Sequence, residues 1–186
     1  MDQVHYFTKS GNWTNQVFKA CRKYSDENGI EDIIVASTTG ETGAKASKVF
    51  KGLNLVIVTH SAGFKEPGNV ELLGRQREVI EKNGGKILIS THALSGVERA
   101  FRKKHNTVGP VELIASALRT FGEGTKVCIE IAIMAADAGL IPVDRDVICI
   151  AGTGNGADTA MLVRSANSAN FFDLKVRKYL CKPVNF

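Results

Sequence analysis

Four short segments of the chain are apolar at every position: Ile33 to Ala36, Leu55 to Val58, Ile87 to Ile89 and Val147 to Ile150. A strand with one face in water alternates apolar and polar residues, so uninterrupted runs belong to strands covered on both faces. Parallel strands need long crossovers, and the helices in those crossovers supply the cover. The segments between the runs have the required helical spacing. Trp13, Val17, Ala20, Cys21 and Tyr24 share one stripe, with Asn12 placed to cap its start and Gly29 just past its end. Ala46, Val49 and Phe50 follow the first run, Leu72, Leu73, Val79 and Ile80 the second, and Val97, Ala100, Phe101 and Lys104 the third. Pro110 suits a first helical position before Val111, Ile114, Ala115, Leu118 and Phe121, and Thr125 is placed to cap a further helix, largely apolar, to about Ala138. The expectation is an α/β fold, three layers, doubly wound around a mainly parallel sheet.

The 186 residues, 44% apolar and 23% charged, suffice for one core, and without a linker or low-complexity tract residues 1–186 read as a single domain. Residues 173–186 carry no assignable pattern. Cys21, Cys128, Cys149 and Cys181 lie too far apart for a zinc site or a redox dithiol, which points to the reducing cytoplasm and to no metal. No apolar stretch is long enough to span a membrane, and MDQVHYFTK lacks the apolar region of a signal peptide. The formal charge of +5 is spread along the chain, and its densest cluster, Arg99, Arg102, Lys103 and Lys104, reads as a solvated helix face, so nucleic acid is not an expected partner. Homo-oligomerisation stays open.

In an open parallel sheet, ligands bind beyond the carboxyl ends of the strands, where crossovers diverge to opposite faces. Here every apolar run empties into small hydroxyls, glycine or histidine: Ser37-Thr38-Thr39-Gly40, Thr59-His60-Ser61, Ser90-Thr91-His92 and Gly152-Thr153-Gly154. Ser37, Thr38, Thr39, Gly40, Thr42 and Gly43 stand between a strand and a helix, where free helical N–H groups and hydroxyls suit a phosphate. Simple N-capping is the competing role for any one of those hydroxyls. Thr59, His60, Ser61, Thr91 and His92 complete the candidate pocket. His60 and His92 are candidate proton carriers, although the sequence sets no nucleophile or carboxylate beside them, and both also suit a structural role.

The stretch Gly152-Thr-Gly-Asn-Gly156 is compatible with a glycine loop entering a helix or with a hairpin turned at Asn155-Gly156. Glu130 and Asp137 fall on one face of an apolar helix, and Lys126, one turn before Glu130, is its expected partner in a structural role. The loop His60 to Gly68 is long for its place, which suits a lid or a surface excursion, and Lys65 within it is able to reach an anion.

Ser37-Thr38-Thr39-Gly40-Glu41-Thr42 resembles the T-x-S-G-x-S sugar-phosphate loop of the pyruvate kinase C-terminal domain, with Glu41 where that family commonly carries arginine. The blocks VASTTGETG, VTHSAGFKEPG, STHALSGVERAFRKKH, KVCIEIAIMAADAGLIPV and IAGTGNGADTAMLVRSANSANFFDL are similar to stand-alone proteins of pyruvate kinase C-terminal type. That resemblance implies a three-layer α/β domain with a hairpin at Gly152 to Ala157. It does not imply kinase activity, whose metal, phosphoenolpyruvate and nucleotide sites lie on a barrel domain absent from these residues. It implies flavin mononucleotide (FMN) as ligand, its single phosphate at the Ser/Thr loop and its ring against the glycine-rich strand ends. Two functions stay open: a binding or sensing module for a phosphorylated small molecule, and a flavin-dependent oxidoreductase or other enzyme acting on a phosphorylated substrate, with His60 or His92 as proton donor.

Overall fold

The computed structural model describes residues 4–9 and 11–186. In chain order the elements are β1 (His5–Phe7), α1 (Thr14–Asn28), β2 (Asp32–Ala36), α2 (Glu41–Val49), β3 (Asn54–Thr59), α3 (Gly74–Lys82), β4 (Lys86–Ile89), α4 (Glu98–His105), α5 (Pro110–Arg119), α6 (Glu123–Asp137), β5 (Asp146–Ala151), β6 (Thr159–Arg164), a 3-10 turn (Ser168–Asp173) and β7 (Lys175–Pro183). The strands form one seven-stranded sheet in the order β1-β7-β6-β5-β2-β3-β4. β5, β2, β3 and β4, which contain the four apolar runs, are mutually parallel. β6 runs antiparallel to both β5 and β7, while β1 pairs parallel to β7 at the edge. The C-terminal residues without a readable pattern thus supply the strand that joins the hairpin to the N-terminal strand.

Each central strand divides its side chains between two cores, as the period of two requires. Ile33 and Val35 join Ile57, Ile148 and Ile150 under α1, α2 and α3, where Phe18 and Phe50 meet edge to face. Ile34 joins Val56, Val58, Val147 and Cys149 under α6. α6 is buried over nearly its whole length, which accounts for its almost uniformly apolar sequence. The three-layer architecture is therefore the expected one.

Several boundaries differ from the sequence expectation. α1 begins after Trp13, although the Asn12 carboxamide does accept the Thr14 N–H, and Gly29 ends it at φ 66°. Val49, the last residue of α2, is exposed, whereas Phe50 just after it is fully buried. Leu72 and Leu73 precede α3 instead of forming its stripe. α4 buries no residue: Phe101 is 56% exposed, and Val97, just before the helix, 74%. Phe121, at the end of the α5 stripe, is also exposed. α6 starts at Glu123, so Thr125 lies inside it and donates to the Phe121 carbonyl. The Gly152 segment does turn a β5–β6 hairpin, but only Gly156 takes positive φ and Asn155 does not, so the type I′ turn is not made. The Asp158 carboxylate instead binds the Thr153 N–H and the Thr159 hydroxyl, which sets a longer loop.

Candidate functional site

β2 is the point of divergence in the sheet. The chain leaves it through α2 on one face, while α6 packs on the other before β5. The carboxyl ends of β2 and β3 therefore open between α2, α6 and the hairpin loop, as the general rule for such sheets requires. A cavity of about 600 Å³ occupies this position.

Of the expected residues, Ser37, Thr38, Thr39, Thr42, Thr59, His60, His92, Gly152 and Gly154 line the cavity. They do not contribute alike. The Ser37 hydroxyl accepts the Gly43 N–H, and the Thr59 hydroxyl donates to the Thr38 carbonyl, so both are engaged in holding the β2–α2 turn. Among the described residues, the hydroxyls of Thr39 and Thr42 have no hydrogen-bond partner, and the N–H groups of Glu41 and Thr42, in the first turn of α2, have no acceptor.

Gly40, Gly43, Ser61, Thr91 and Thr153 do not line this cavity. Gly40 starts α2 at φ 90°, with Leu72 and Gln76 packed where a side chain would stand. Gly43 lies against Ile57 and Ile80, so the glycine serves helix-to-sheet packing. Ser61 and Thr91 face smaller depressions beside Phe64 and His92.

Both histidines have carboxylate partners that sequence reasoning missed. His60 Nδ1 lies 2.7 Å from Glu71 Oε2, and its Nε2 lies 3.3 Å from Thr38 Oγ1. Glu71 Oε1 is held at 2.7 Å by Lys65, so Lys65 is spent on a carboxylate instead of reaching toward an anion. Burial alone would raise the Glu71 carboxyl, but bonds from Lys65 and His60 outweigh it and leave the group below its ordinary 4.5. No periodicity links His60 to Glu71; the loop between them folds back to make the contact.

His92 Nδ1 stands 3.7 Å from Glu130 Oε2, an ion-pair separation longer than a hydrogen bond. Glu130 also accepts the Leu94 N–H and lies 2.5 Å from Lys126 Nζ, confirming the expected helical pair. Burial would raise its carboxyl; His92 and Lys126 bring it down to about 2. The one sequence signal for Glu130 was its isolation in an apolar helix.

Phe64, from the long loop, covers both imidazoles: its ring centroid is 4.1 Å from that of His60 and 4.8 Å from that of His92, and the Arg99 guanidinium lies 4.1 Å over it. Arg119, paired with Glu123, and the Lys126–Glu130 pair stand on the α6 side, where each cation is matched by a carboxylate. Val127, Ile131 and Met134 add an apolar surface to the same wall. No group of three or more potential metal ligands occurs among the described residues, and none of their helices is long and apolar enough to cross a membrane.

The family model described as "Pyruvate kinase, alpha/beta domain" matches residues 15–163, from α1 through β6 and hence every wall of this cavity. Fold, strand-end cleft and sequence agree, and the chain belongs to the pyruvate kinase alpha/beta domain family.

Proposed function

We propose that this cavity binds a phosphorylated small molecule, with flavin mononucleotide as the ligand that suits it best, and that the protein acts as a binding or sensing module. The observation that carries this reading is the start of α2, where unpartnered N–H groups and the free hydroxyls of Thr39 and Thr42 adjoin one cavity. Such a helix end favours an anion through its dipole and its unsatisfied donors. Glu41 at the cavity edge and the self-neutralised charges along α6 favour one phosphate over several.

The residues present fit flavin mononucleotide. Thr39, Thr42 and the α2 amides would hold its phosphate, while Val127, Ile131 and Met134 offer an apolar surface to its ring. When bound, a flavin supplies electron or hydride transfer. The contribution of the chain is to anchor, orient and shield it.

The test is the absorbance spectrum of freshly purified protein, followed by calorimetric titration with flavin mononucleotide and riboflavin. Saturable binding of the phosphorylated form, much weaker for riboflavin, supports the reading. Colourless protein that binds neither flavin mononucleotide nor another phosphate ester overturns it. A second reading, an enzyme acting on a phosphorylated substrate, is favoured by one observation, the placement of His60 between a carboxylate and a hydroxyl.

A further inference from the structure

The two histidines of the cavity look interchangeable in sequence, each following a threonine at a strand end, yet their surroundings differ in the property that matters for proton transfer. His60 has a short contact from Nδ1 to a carboxylate that stays ionised, whereas His92 has a long one. Beyond that, His92 Nε2 is buried without a partner among the described residues, while the His60 side chain is 26% exposed at the cavity and meets the Thr38 hydroxyl through Nε2. A carboxylate can only accept, so in the neutral ring the proton of His60 lies on Nδ1 and Nε2 carries the lone pair. The Thr38 hydroxyl then donates to Nε2.

We infer that His60 is a general base of this cavity, with Glu71 as the residue that positions it. A base has to present its lone pair, in one tautomer and one orientation, to a proton held within reach. Glu71 supplies the tautomer. Lys65 anchors the other carboxylate oxygen, and the Phe64 ring limits rotation of the imidazole from its face. Thr38 Oγ1 marks the direction in which Nε2 accepts, on a side chain that also lines the cavity. With its ring neutral, His60 is therefore set up to remove a proton from a ligand, the reverse of the proton-donor role expected from the sequence.

The other ionisable groups around it are accounted for. His92 lies 5.2 Å away between ring centroids, backed by Glu130 and Lys126 of α6; Arg99 of α4 lies over the Phe64 ring; Glu41 of α2 lines the same cavity. None of these takes the place of Glu71 at Nδ1. The inference stands apart from the phosphate proposal, because a base acts on an O–H or an activated C–H whether or not the ligand carries phosphate.

A phosphate-free probe of basicity separates the two: 5-nitrobenzisoxazole, whose C3–H proton passes to the base. The C–H electron pair forms the nitrile as the N–O bond breaks to give a phenolate, and the base returns its proton to water. The whole protein is expected to accelerate this reaction above an equal concentration of free imidazole. His60→Asn should lower the rate about tenfold or more. His105→Asn, on exposed α4, should not change it.

In parallel, 15N shifts of the imidazoles should show His60 protonated at Nδ1, with both tautomers populated in Glu71→Gln and the single tautomer restored in Glu71→Asp. A wild-type rate no higher than that of free imidazole, a loss in His92→Asn but not in His60→Asn, or a wild-type His60 protonated at Nε2 would each overturn the assignment.

Discussion

Lys126 and Glu130 form an ion pair one helical turn apart inside the wall of the cavity, with Lys126 6% and Glu130 3% exposed. The pair has support beyond its own charges, since Glu130 also accepts the Leu94 amide and thereby ties α6 to the segment after β4. Removing Glu130 leaves the buried Lys126 charge without its carboxylate. Glu130→Ala should therefore destabilise the fold by about 3–5 kcal/mol, measured by urea denaturation, and Lys126→Met should cost less in Glu130→Gln than in the wild type.

The same carboxylate sets an acid dependence. Its folded value of about 2 lies below its ordinary 4.5, so the stabilisation is fully present above 4.5 and fades as pH falls toward 2. The amount is about 3 kcal/mol, from the separation of the two values. Denaturation midpoints collected between pH 6 and pH 2 should show a loss in the wild type that is much reduced in Glu130→Gln.

Thr39→Ala with Thr42→Ala should weaken flavin mononucleotide by about 1–3 kcal/mol per lost charge-assisted bond, while the ligand-free melting temperature hardly moves, because neither hydroxyl has a partner among the described residues. Calorimetry and thermal denaturation on one preparation check both halves. A large fall in melting temperature would instead assign these hydroxyls to capping.

Glu41→Arg reverses a charge on the cavity edge. Solvent exposure screens most of the Coulomb change, leaving an expected gain of about tenfold in affinity for phosphorylated ligands at low salt, larger for doubly charged esters and smaller at moderate salt. Parallel titrations with flavin mononucleotide and fructose bisphosphate test it. No response at low salt would move the anion away from residues 37–42.

Gly43→Ala should act on stability. An added Cβ would come within 2.7 Å of Ile57 Cγ2, with Ile80 also close, so either the helix or these side chains must shift. A cost of about 1–3 kcal/mol is expected from overpacking. Thermal denaturation without ligand checks it.

The parallel core was legible because both sheet faces are covered: strands that must be apolar on both sides leave runs such as Leu55 to Val58, and the crossover stripes follow helical periodicity. The α1 stop at Gly29 and the α5 start at Pro110 were legible for local reasons, since a left-handed residue and a fixed φ act within a few residues. Periodicity was less informative at α4. Val97 and Phe101 keep helical spacing without a neighbouring layer to bury them.

The candidate cavity was legible as a set of strand ends, but not the roles within it. Chain order placed Ser37, Thr59 and Thr39 in one class; only the tertiary contacts separated hydroxyls spent on the turn from one left free. The same holds for the histidines. That β2 and β3 end in hydroxyls and histidine, and that they stack in parallel, follows from local residue types and burial. That Glu71 reaches His60 while Glu130 stands off from His92 depends on how a long loop and a buried helix close over the sheet, and angstrom differences between distant segments leave no periodic trace in a sequence.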